Sequence, residues 1–445
     1  MSKQSAQAYI DRLEESRGQW ESRLPDWLIE QKRTAAETFA REGFPDPRNE
    51  EWKYTNVRPI AKKVFQPAAA GQAPVDASVV DDHKFAGQET LDLVFVNGIF
   101  REELSGTADL PEGVAVKNLA RALEDSPEAV GKTLGSVVTY QDNSFAAFNT
   151  AFFEDGAFIE LANNAVLETP IRLLFVSTAE AEPVVSHPRV VISAGTSSQA
   201  SVIEQFVGQE GSGNFTNAVT EIRLAANARV EHYKLQEEST KAYHVGSIHV
   251  DQARDSHYAC HNIALGARLA RTDINPTLSE QGAHTFLNGL FMPQGRQHMD
   301  THTRIHHAAA HTTSEEVYRG VLDGHGRGVF KGRVLVARDS QKIEAHQSND
   351  NLLLSDNAEV DTKPELEIYA DDVVCSHGAT VGQLDEDALY YLRSRAVDKD
   401  LARDLLIFAF ADEVVARIPL KPLREQLEQM IVGRLPDNEK LKEFV

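Results

Sequence analysis

The chain has 445 residues, of which 42% are hydrophobic and 25% charged, and these proportions are typical of a globular protein with a large core. Its formal net charge of −22 argues against binding to nucleic acid or to an anionic membrane surface, because both require clustered lysine and arginine. With only two cysteines the chain has no disulfide framework, so a reducing compartment is the expected setting.

The start of the chain and its apolar runs bear on the subcellular localisation of the protein. The first residues, MSKQSAQAYIDR, are polar and lack the apolar region of a signal peptide. The longest strongly apolar run, Leu405 to Ala411, is far too short to span a membrane. The sequence therefore predicts a soluble cytoplasmic protein.

Residues 1–150 are predicted to form a mainly helical N-terminal domain with a linker. Residues 1 to about 45 favour helix with a break near Pro25, and the Gly-Phe-Pro sequence at 43–45 ends it. A linker is expected at 66–80, and Leu91–Phe100 predicts a strand that runs into an Asn-Gly turn. The apolar positions that share one helix face are Ile10, Leu13, Trp20, Leu24, Trp27 and Leu28.

Residues 151–384 predict a β core, since short alternating segments follow one another with hardly a helical pattern between them. A degenerate unit opens several segments: a polar residue or glycine, alanine, any residue, then valine or leucine. It starts at Asn164, Gln199, Asn227, Gly266 and Asn357. A corner followed by a strand suits a parallel β-helix, which we favour over a sandwich. We expect Val202, Val230 and Val360 inside, and Ser201, Arg229 and Glu359 facing solvent.

Residues 385–445 predict a C-terminal helical domain. Asp385 and Asp398 are expected to cap two helices, and Pro419 and Pro422 separate a third. The domain has an apolar face and many charges, so it either caps the β core or docks a partner. The predicted apolar face of the second helix consists of Leu401, Leu405, Phe408, Ala409 and Val415.

The segment Asp371–Gly382, DDVVCSHGATVG, is the most informative part of the chain. If it is extended, Cys375 and His377 project to the same face about 7 Å apart along the strand. A thiolate and an imidazole presented together form a half-site for a soft metal or an iron–sulfur cluster. The alternative is burial of this pair without a function.

Other candidate sites have simpler structural explanations. His298, His302 and His306 are spaced for zinc on a helix and define an alternative hypothesis, a metal-dependent enzyme. On a strand, however, Arg304 would lie between His302 and His306 and disfavour a cation. We therefore favour structural or interface pairing for this segment.

Three further features are also read as structural. The glycine-rich segment 319–333 lacks the G-K-[ST] of a phosphate loop and predicts tight turns. Asp371 and Asp372 would point to opposite faces of a strand, so we expect a corner rather than an acid/base pair. Cys260 is expected to be a small buried residue.

Several long motifs together closely resemble the SufB/SufD family of iron–sulfur cluster assembly scaffolds. They are SEEVYRGVLDGHGRGVFKGR at 314–333, the stretch from Ala345 to Gly382 that contains C-S-H, and YYLRSR at 390–395. The match covers roughly residues 150–433. The segment EEWKYT at 50–55 and the scarcity of cysteines are most similar to the SufD side of the family.

The resemblance implies a mainly β fold, with a right-handed parallel β-helix core and N-terminal and C-terminal helical domains. It implies a non-catalytic scaffold that works with a SufB-like subunit and with a SufC-like ABC-type ATPase docked on the C-terminal helices. The transient cluster would form at the SufB–SufD interface, with His377 as a ligand, Cys375 as an auxiliary and no cluster held tightly by the isolated chain. The resemblance does not decide whether the isolated chain forms a homodimer. A carbohydrate-active β-helix enzyme would need a signal peptide, which the sequence does not show.

Overall fold

The chain is folded from helices at its two ends and strands between them, in a computed structural model that describes residues 2–63, 65–68, 75–106, 110–141, 143–179, 182–435 and 441. The side chain of Trp20 and part of the predicted linker at 66–80 lie outside the described residues. The helices are α1 (Ser2–Glu21), α2 (Asp26–Glu42), α3 (Arg58–Ala61), α4 (Ser78–Asp82), α5 (Leu119–Asp125), α6 (Pro127–Gly131), α7 (Ser144–Phe152), α8 (Glu386–Ser394), α9 (Lys399–Val415) and α10 (Lys421–Gly433).

The strands fill the middle of the chain and grow to about ten residues in the later coils. They are β1 (Gln66–Pro67), β2 (Leu91–Val96), β3 (Ile99–Phe100), β4 (Val114–Asn118), β5 (Gly156–Leu161), β6 (Ile171–Ser177), β7 (Val184–Ser186), β8 (Arg189–Ala194), β9 (Gln199–Gly208), β10 (Phe215–Leu224), β11 (Arg229–Glu237), β12 (Tyr243–Gln252), β13 (His257–Ala264), β14 (Leu269–Leu278), β15 (His284–Phe291), β16 (His298–His307), β17 (Thr313–Leu322), β18 (Arg327–Val336), β19 (Ile343–Leu353), β20 (Glu359–Ile368) and β21 (Val373–Gly382).

These strands form two sheets between which the chain alternates. The first sheet follows the order β20-β18-β16-β14-β12-β10-β8-β5-β4, and the second follows β21-β19-β17-β15-β13-β11-β9-β6-β2-β3. Arg229 lies in parallel register with Gln199 of the coil before and with His257 of the coil after. One coil therefore takes about 30 residues, and the predicted parallel β-helix is confirmed.

The recurrent unit in the sequence marks corners of this coil. Asn164 and Asn227 have φ angles of 63° and 59°, the left-handed region that asparagine adopts more easily than most residues. Each donates its backbone N–H to a carbonyl of the next coil, Asn164 to Thr196 at 2.7 Å and Asn227 to Arg254 at 2.9 Å. The unit therefore turns the chain and joins neighbouring coils at the same point.

The interior positions follow the predicted pattern except at the end of the stack. Val202 and Val230 are buried in the core of the β-helix, and Arg229 is exposed. Val360, which was expected inside, is only half-buried. It lies on β20, the last strand of the first sheet, so no further coil within the described part of the chain covers it. The other two outward positions are Ser201, which is half-buried, and Glu359, which is exposed.

The sheets begin within the part of the chain that the sequence assigned to the N-terminal domain. β2 pairs in parallel with β6 and turns through Asn97-Gly98 into β3, as the hairpin signal predicted. β4 pairs with β5. Helices α2 and α7 pack together and α7 contacts β10, where their apolar faces form one cluster with the outer face of the first sheet. The domain boundaries at 150/151 and 384/385 stay a prediction.

The C-terminal helices cover the outer face of the second sheet. The caps are confirmed, since Asp385 accepts from the N–H groups of Asp387 and Ala388, and Asp398 from that of Asp400. The predicted apolar face of α9 was partly wrong, because apolar residues surround most of this helix and the pattern does not single out one face. Ala409 is exposed, and the face against the sheet is Ile407, Ala411, Val414 and Val415. Within the described chain, no helix is both long and apolar enough to cross a bilayer.

Candidate functional site

The C-x-H pair lies on β21, the last strand of the second sheet. Cys375 is in register with Ala345 and His377 with Gln347 of the coil below. Alternate residues of a strand share a face, and both partners are buried, so Cys375 and His377 lie on the inward-facing side of the last coil. Because no further coil follows among the described residues, His377 is exposed and Cys375 half-buried.

Cys375 packs at the margin of a small apolar cluster. The cluster includes Val334, Val336, Ile343 and Ala345. This partial burial raises the pKa of the Cys375 thiol, although a backbone hydrogen bond at Ala345 opposes the shift. The thiol is therefore protonated at neutral pH in the isolated chain, and a thiolate ligand would require a change in its surroundings.

A buried polar column runs beneath His377. Glu316, Gln347 and His377 occupy the same position on β17, β19 and β21. Gln347 donates to Glu316 at 2.5 Å, and both are buried. Burial raises the pKa of Glu316 to about 7, although hydrogen bonds from Gln347 and Thr303 oppose the shift. The sequence showed no sign of this column, since it depends on the register of distant strands.

The end of the β-helix at β20 and β21 is uncovered. Both are terminal strands of their sheets, so each presents a row of backbone N–H and C=O groups without a strand partner among the described residues. Exposed large hydrophobic side chains concentrate in the same stretch of chain. They are Tyr369, Val374, Val381, Tyr390 and Tyr391.

The other residues that the sequence singled out take part in the fold at different places. Asp371 and Asp372 form the bend between β20 and β21, and Asp372 pairs with Lys342, so the predicted corner is confirmed. The glycine-rich segment forms the end of β17, a tight turn with Gly324 at a φ of 65°, and the first part of β18. Cys260 is fully buried inside the β-helix, as predicted.

The histidine-rich segment forms strand β16 rather than a helix, and its residues hold the N-terminal region of the chain. Thr55 lies 2.8 Å from His298 and donates to Asp300 at 2.5 Å. His302 lies between Asp300 at 3.1 Å and Glu51 at 3.6 Å. Among the described residues, no group of three or more His, Cys, Asp or Glu side chains is placed to hold a metal ion.

The segment EEWKYT thus has a structural explanation. Its first three residues form a 3-10 turn, Glu50–Trp52, that docks on the outer face of the first sheet. The Arg271 guanidinium stacks 3.7 Å from the Trp52 ring and donates to the Glu51 carbonyl at 2.5 Å. Lys331 donates to the Glu51 carboxylate at 2.8 Å. We call Glu51, Thr55, Arg271, Asp300, His302 and Lys331 the docking cluster.

The charges in the docking cluster shift one another's pKa values. A hydrogen bond from His302 and the pairing with Lys331 lower the pKa of Glu51, although burial opposes them. For Asp300, burial raises the pKa, but His302 and Arg271 outweigh it and leave the value below its usual range. For His302, burial and Arg271 lower the pKa, but Asp300 and Glu51 outweigh them and leave it above 6.5.

We therefore expect the docking cluster to stabilise the protein most between about pH 5 and 6.5. The contribution of the carboxylates is present above their ordinary pKa values and is lost as the pH falls through the lowered ones. The contribution of His302 is complete below pH 6.5 and is lost as the pH rises through its raised pKa. Urea midpoints measured across pH should show an alkaline decline in the wild type that is absent in His302→Gln.

His306→Gln is the matched control on the same strand. Burial and Arg304 lower the pKa of His306, so its removal should leave the alkaline decline in place. Equal pH profiles for wild type and His302→Gln above pH 6.5 would contradict this account.

The architecture defines a class of protein, a parallel β-helix between helical ends with a Cys-x-His pair on an open terminal strand. Two family models match the chain: the SufBD protein N-terminal region over residues 3–173, and the SufBD core domain of SUF system FeS cluster assembly over residues 175–410. The chain belongs to the SufBD family of iron–sulfur cluster assembly proteins.

Similar curated proteins come from distant organisms. The chain is 33% identical to an iron–sulfur cluster assembly SufBD family protein of Synechocystis, over 92% of this chain and 91% of the relative. It is 30% identical to the iron–sulfur cluster assembly protein SufD of Escherichia coli, over 89% and 90% of the two chains. It is 28% identical to the chloroplastic protein ABCI7 of Arabidopsis thaliana, over 90% and 85%.

Proposed function

We propose that this chain is a SufD-like scaffold subunit that helps to build an iron–sulfur cluster at its interface with a SufB-like subunit. The observation that carries the proposal is the Cys375/His377 pair on an uncovered terminal strand. A buried pair would serve packing, whereas an exposed imidazole beside unpaired strand edges is accessible to a second chain and to the cluster, which is cargo rather than a resident cofactor.

His377 is the principal ligand in this proposal. Imidazole nitrogen is a common protein ligand of iron, whereas the raised pKa of Cys375 disfavours the thiolate that iron requires. Cys375 is the auxiliary residue, because it is half-buried against the apolar cluster that contains Ala345. One imidazole cannot complete a cluster, so the remaining ligands come from the partner subunit.

The partner subunit is proposed to bind at the β20/β21 end. Open backbone edges and exposed tyrosine and valine side chains together supply the hydrogen-bonding and apolar surface that interfaces use. In the isolated chain, the same edge can pair with a second copy, which would give a homodimer. The two free cysteines suit a reducing compartment, and we place the complex in the cytoplasm.

A SufC-like ABC-type ATPase is proposed to dock on the C-terminal domain, residues 385–445. On α8 no residue is buried, and Tyr390 and Tyr391 are exposed. On α9 the residues Leu401, Leu405 and Phe408 are only partly buried beside the face that packs on the sheet. These side chains leave apolar surface for a partner. ATP hydrolysis belongs to that partner, and the present chain acts as a non-catalytic scaffold.

Anaerobic reconstitution tests the function. Iron, sulfide and a reductant are supplied to the chain alone, and to the chain with SufB-like and SufC-like partners, while cluster absorbance is followed. The complete complex should build clusters, and the chain alone should retain little iron. In the complex, His377→Ala should lower cluster build-up strongly, because it removes one imidazole ligand while gel filtration shows an intact assembly.

Cys375→Ser is the matched variant two residues away on the same face. It should impair cluster build-up less than His377→Ala, since histidine is the principal ligand. The role of His377 is refuted if His377→Ala builds clusters as well as the wild type. The scaffold proposal is refuted if the isolated chain holds stoichiometric metal and turns over a substrate without partners.

A further inference from the structure

A cleft whose lining includes neither Cys375 nor His377 opens between the N-terminal region and the first sheet. Its volume is about 220 Å³, which is room for a small molecule rather than for one or two waters. It lies where the strands β12, β14, β16 and β18 begin. Its walls include Tyr54, Tyr243, Arg268, Arg296, His298 and Arg327.

Positive charge in this cleft is only partly compensated. Arg268 and Arg296 are exposed, and neither makes a salt bridge within the described part of the chain. Arg327 is paired with Glu359. Lys63 lies close enough to Arg268 that burial, and then the Arg268 charge, lower the pKa of Lys63. Two cations, Lys63 and Arg268, therefore repel one another at this place.

This arrangement is unusual for the chain, whose formal net charge is −22. The negative net charge repels anions over most of the surface. An anion is attracted to the cleft only where the local positive charge outweighs that repulsion. We propose that the cleft binds a small phosphate-bearing molecule. Guanidinium groups present planar pairs of N–H donors that match phosphate oxygens, and a phosphate carries enough negative charge to engage more than one of them.

The backbone that carries the cleft is held in place before any ligand arrives. Thr55, next to Tyr54, is fixed by His298 at 2.8 Å and by Asp300 at 2.5 Å. Arg268 is anchored through its backbone, which donates to Ala242 and accepts from His298. A preformed site loses less conformational freedom on binding than one that must be assembled. The half-buried ring of Tyr54 offers an apolar wall for the rest of the molecule.

Pyrophosphate is a suitable probe, and isothermal titration at low salt the measurement. We expect saturable binding to the full-length chain and an affinity that falls by at least about tenfold in Arg268→Gln/Arg296→Gln, because two charge-assisted contacts are lost. Arg304→Gln/Arg338→Gln is the matched control. Both arginines are exposed and lie outside the cleft, so this control removes the same number of positive charges from the protein. Thermal melting of each variant verifies the fold.

The comparison of ligands and variants decides the proposal. Equal loss of affinity in the two double variants would show a general charge effect and overturn it, as would no binding of pyrophosphate to the wild type. Tighter binding of an aspartate-rich peptide than of pyrophosphate at the same ionic strength would also overturn it, in favour of a protein-docking surface. Cluster assembly through His377 does not depend on this cleft, so either proposal can fail alone.

Discussion

Val230→Asp is expected to abolish folding of the β-helix. Val230 is buried on β11 and lies in register with Ala200 below and Tyr258 above, inside the main core. An aspartate there has no cationic partner in register, and burying the unpaired carboxylate costs several kcal/mol beyond the lost apolar packing. Such a cost is comparable with the whole stability of a typical protein, about 5–15 kcal/mol. The soluble yield and the circular dichroism spectrum should both be lost.

Arg229→Asp is the control, because it introduces the same residue at the neighbouring position of the same strand. Arg229 is exposed, so the change should alter the free energy of unfolding by no more than roughly half a kcal/mol. A soluble, folded Val230→Asp protein, or an Arg229→Asp protein as damaged as it, would contradict the assignment of inside and outside.

The β-helix was predictable because its signals are local. Corner residues such as Asn164 and Asn227 adopt left-handed backbone angles, and a buried residue follows each of them three positions later. The alternation of a strand then assigns the positions that follow. The same rule placed Cys375 and His377 on one face. Each of these inferences needs only a few consecutive residues.

The other features depend on contacts between distant parts of the chain. Nothing near Val360 indicates that β20 is the last strand of its sheet, which is why its burial was overestimated. The face of α9 against the sheet was misplaced because apolar residues surround that helix. The docking of Glu51 on His302 joins segments about 250 residues apart, so two separate motifs proved to be halves of one contact.

Glu221→Ala is expected to lower the free energy of unfolding by about 3–5 kcal/mol, because it leaves a buried cation unpaired. The side chains of Glu221 and Arg189 are both inaccessible to solvent and lie 2.6 Å apart. Glu221 also accepts from the backbone N–H groups of Gly135, Val137 and Val138 at 2.8 to 3.1 Å. Removing it therefore affects both the first sheet and the N-terminal segment that lies on it.

Urea unfolding followed by tryptophan fluorescence measures this effect, since Trp52 packs 5.1 Å from Phe145 in the same region. Glu210→Ala, at an exposed glutamate, should shift the midpoint little. Arg189→Met combined with Glu221→Leu should be less destabilising than Glu221→Ala alone, because no charge is then left buried without its partner. If the double variant is as destabilised as Glu221→Ala, the loss comes from the orphaned N–H groups of Gly135, Val137 and Val138, which both variants share, rather than from the unpaired guanidinium.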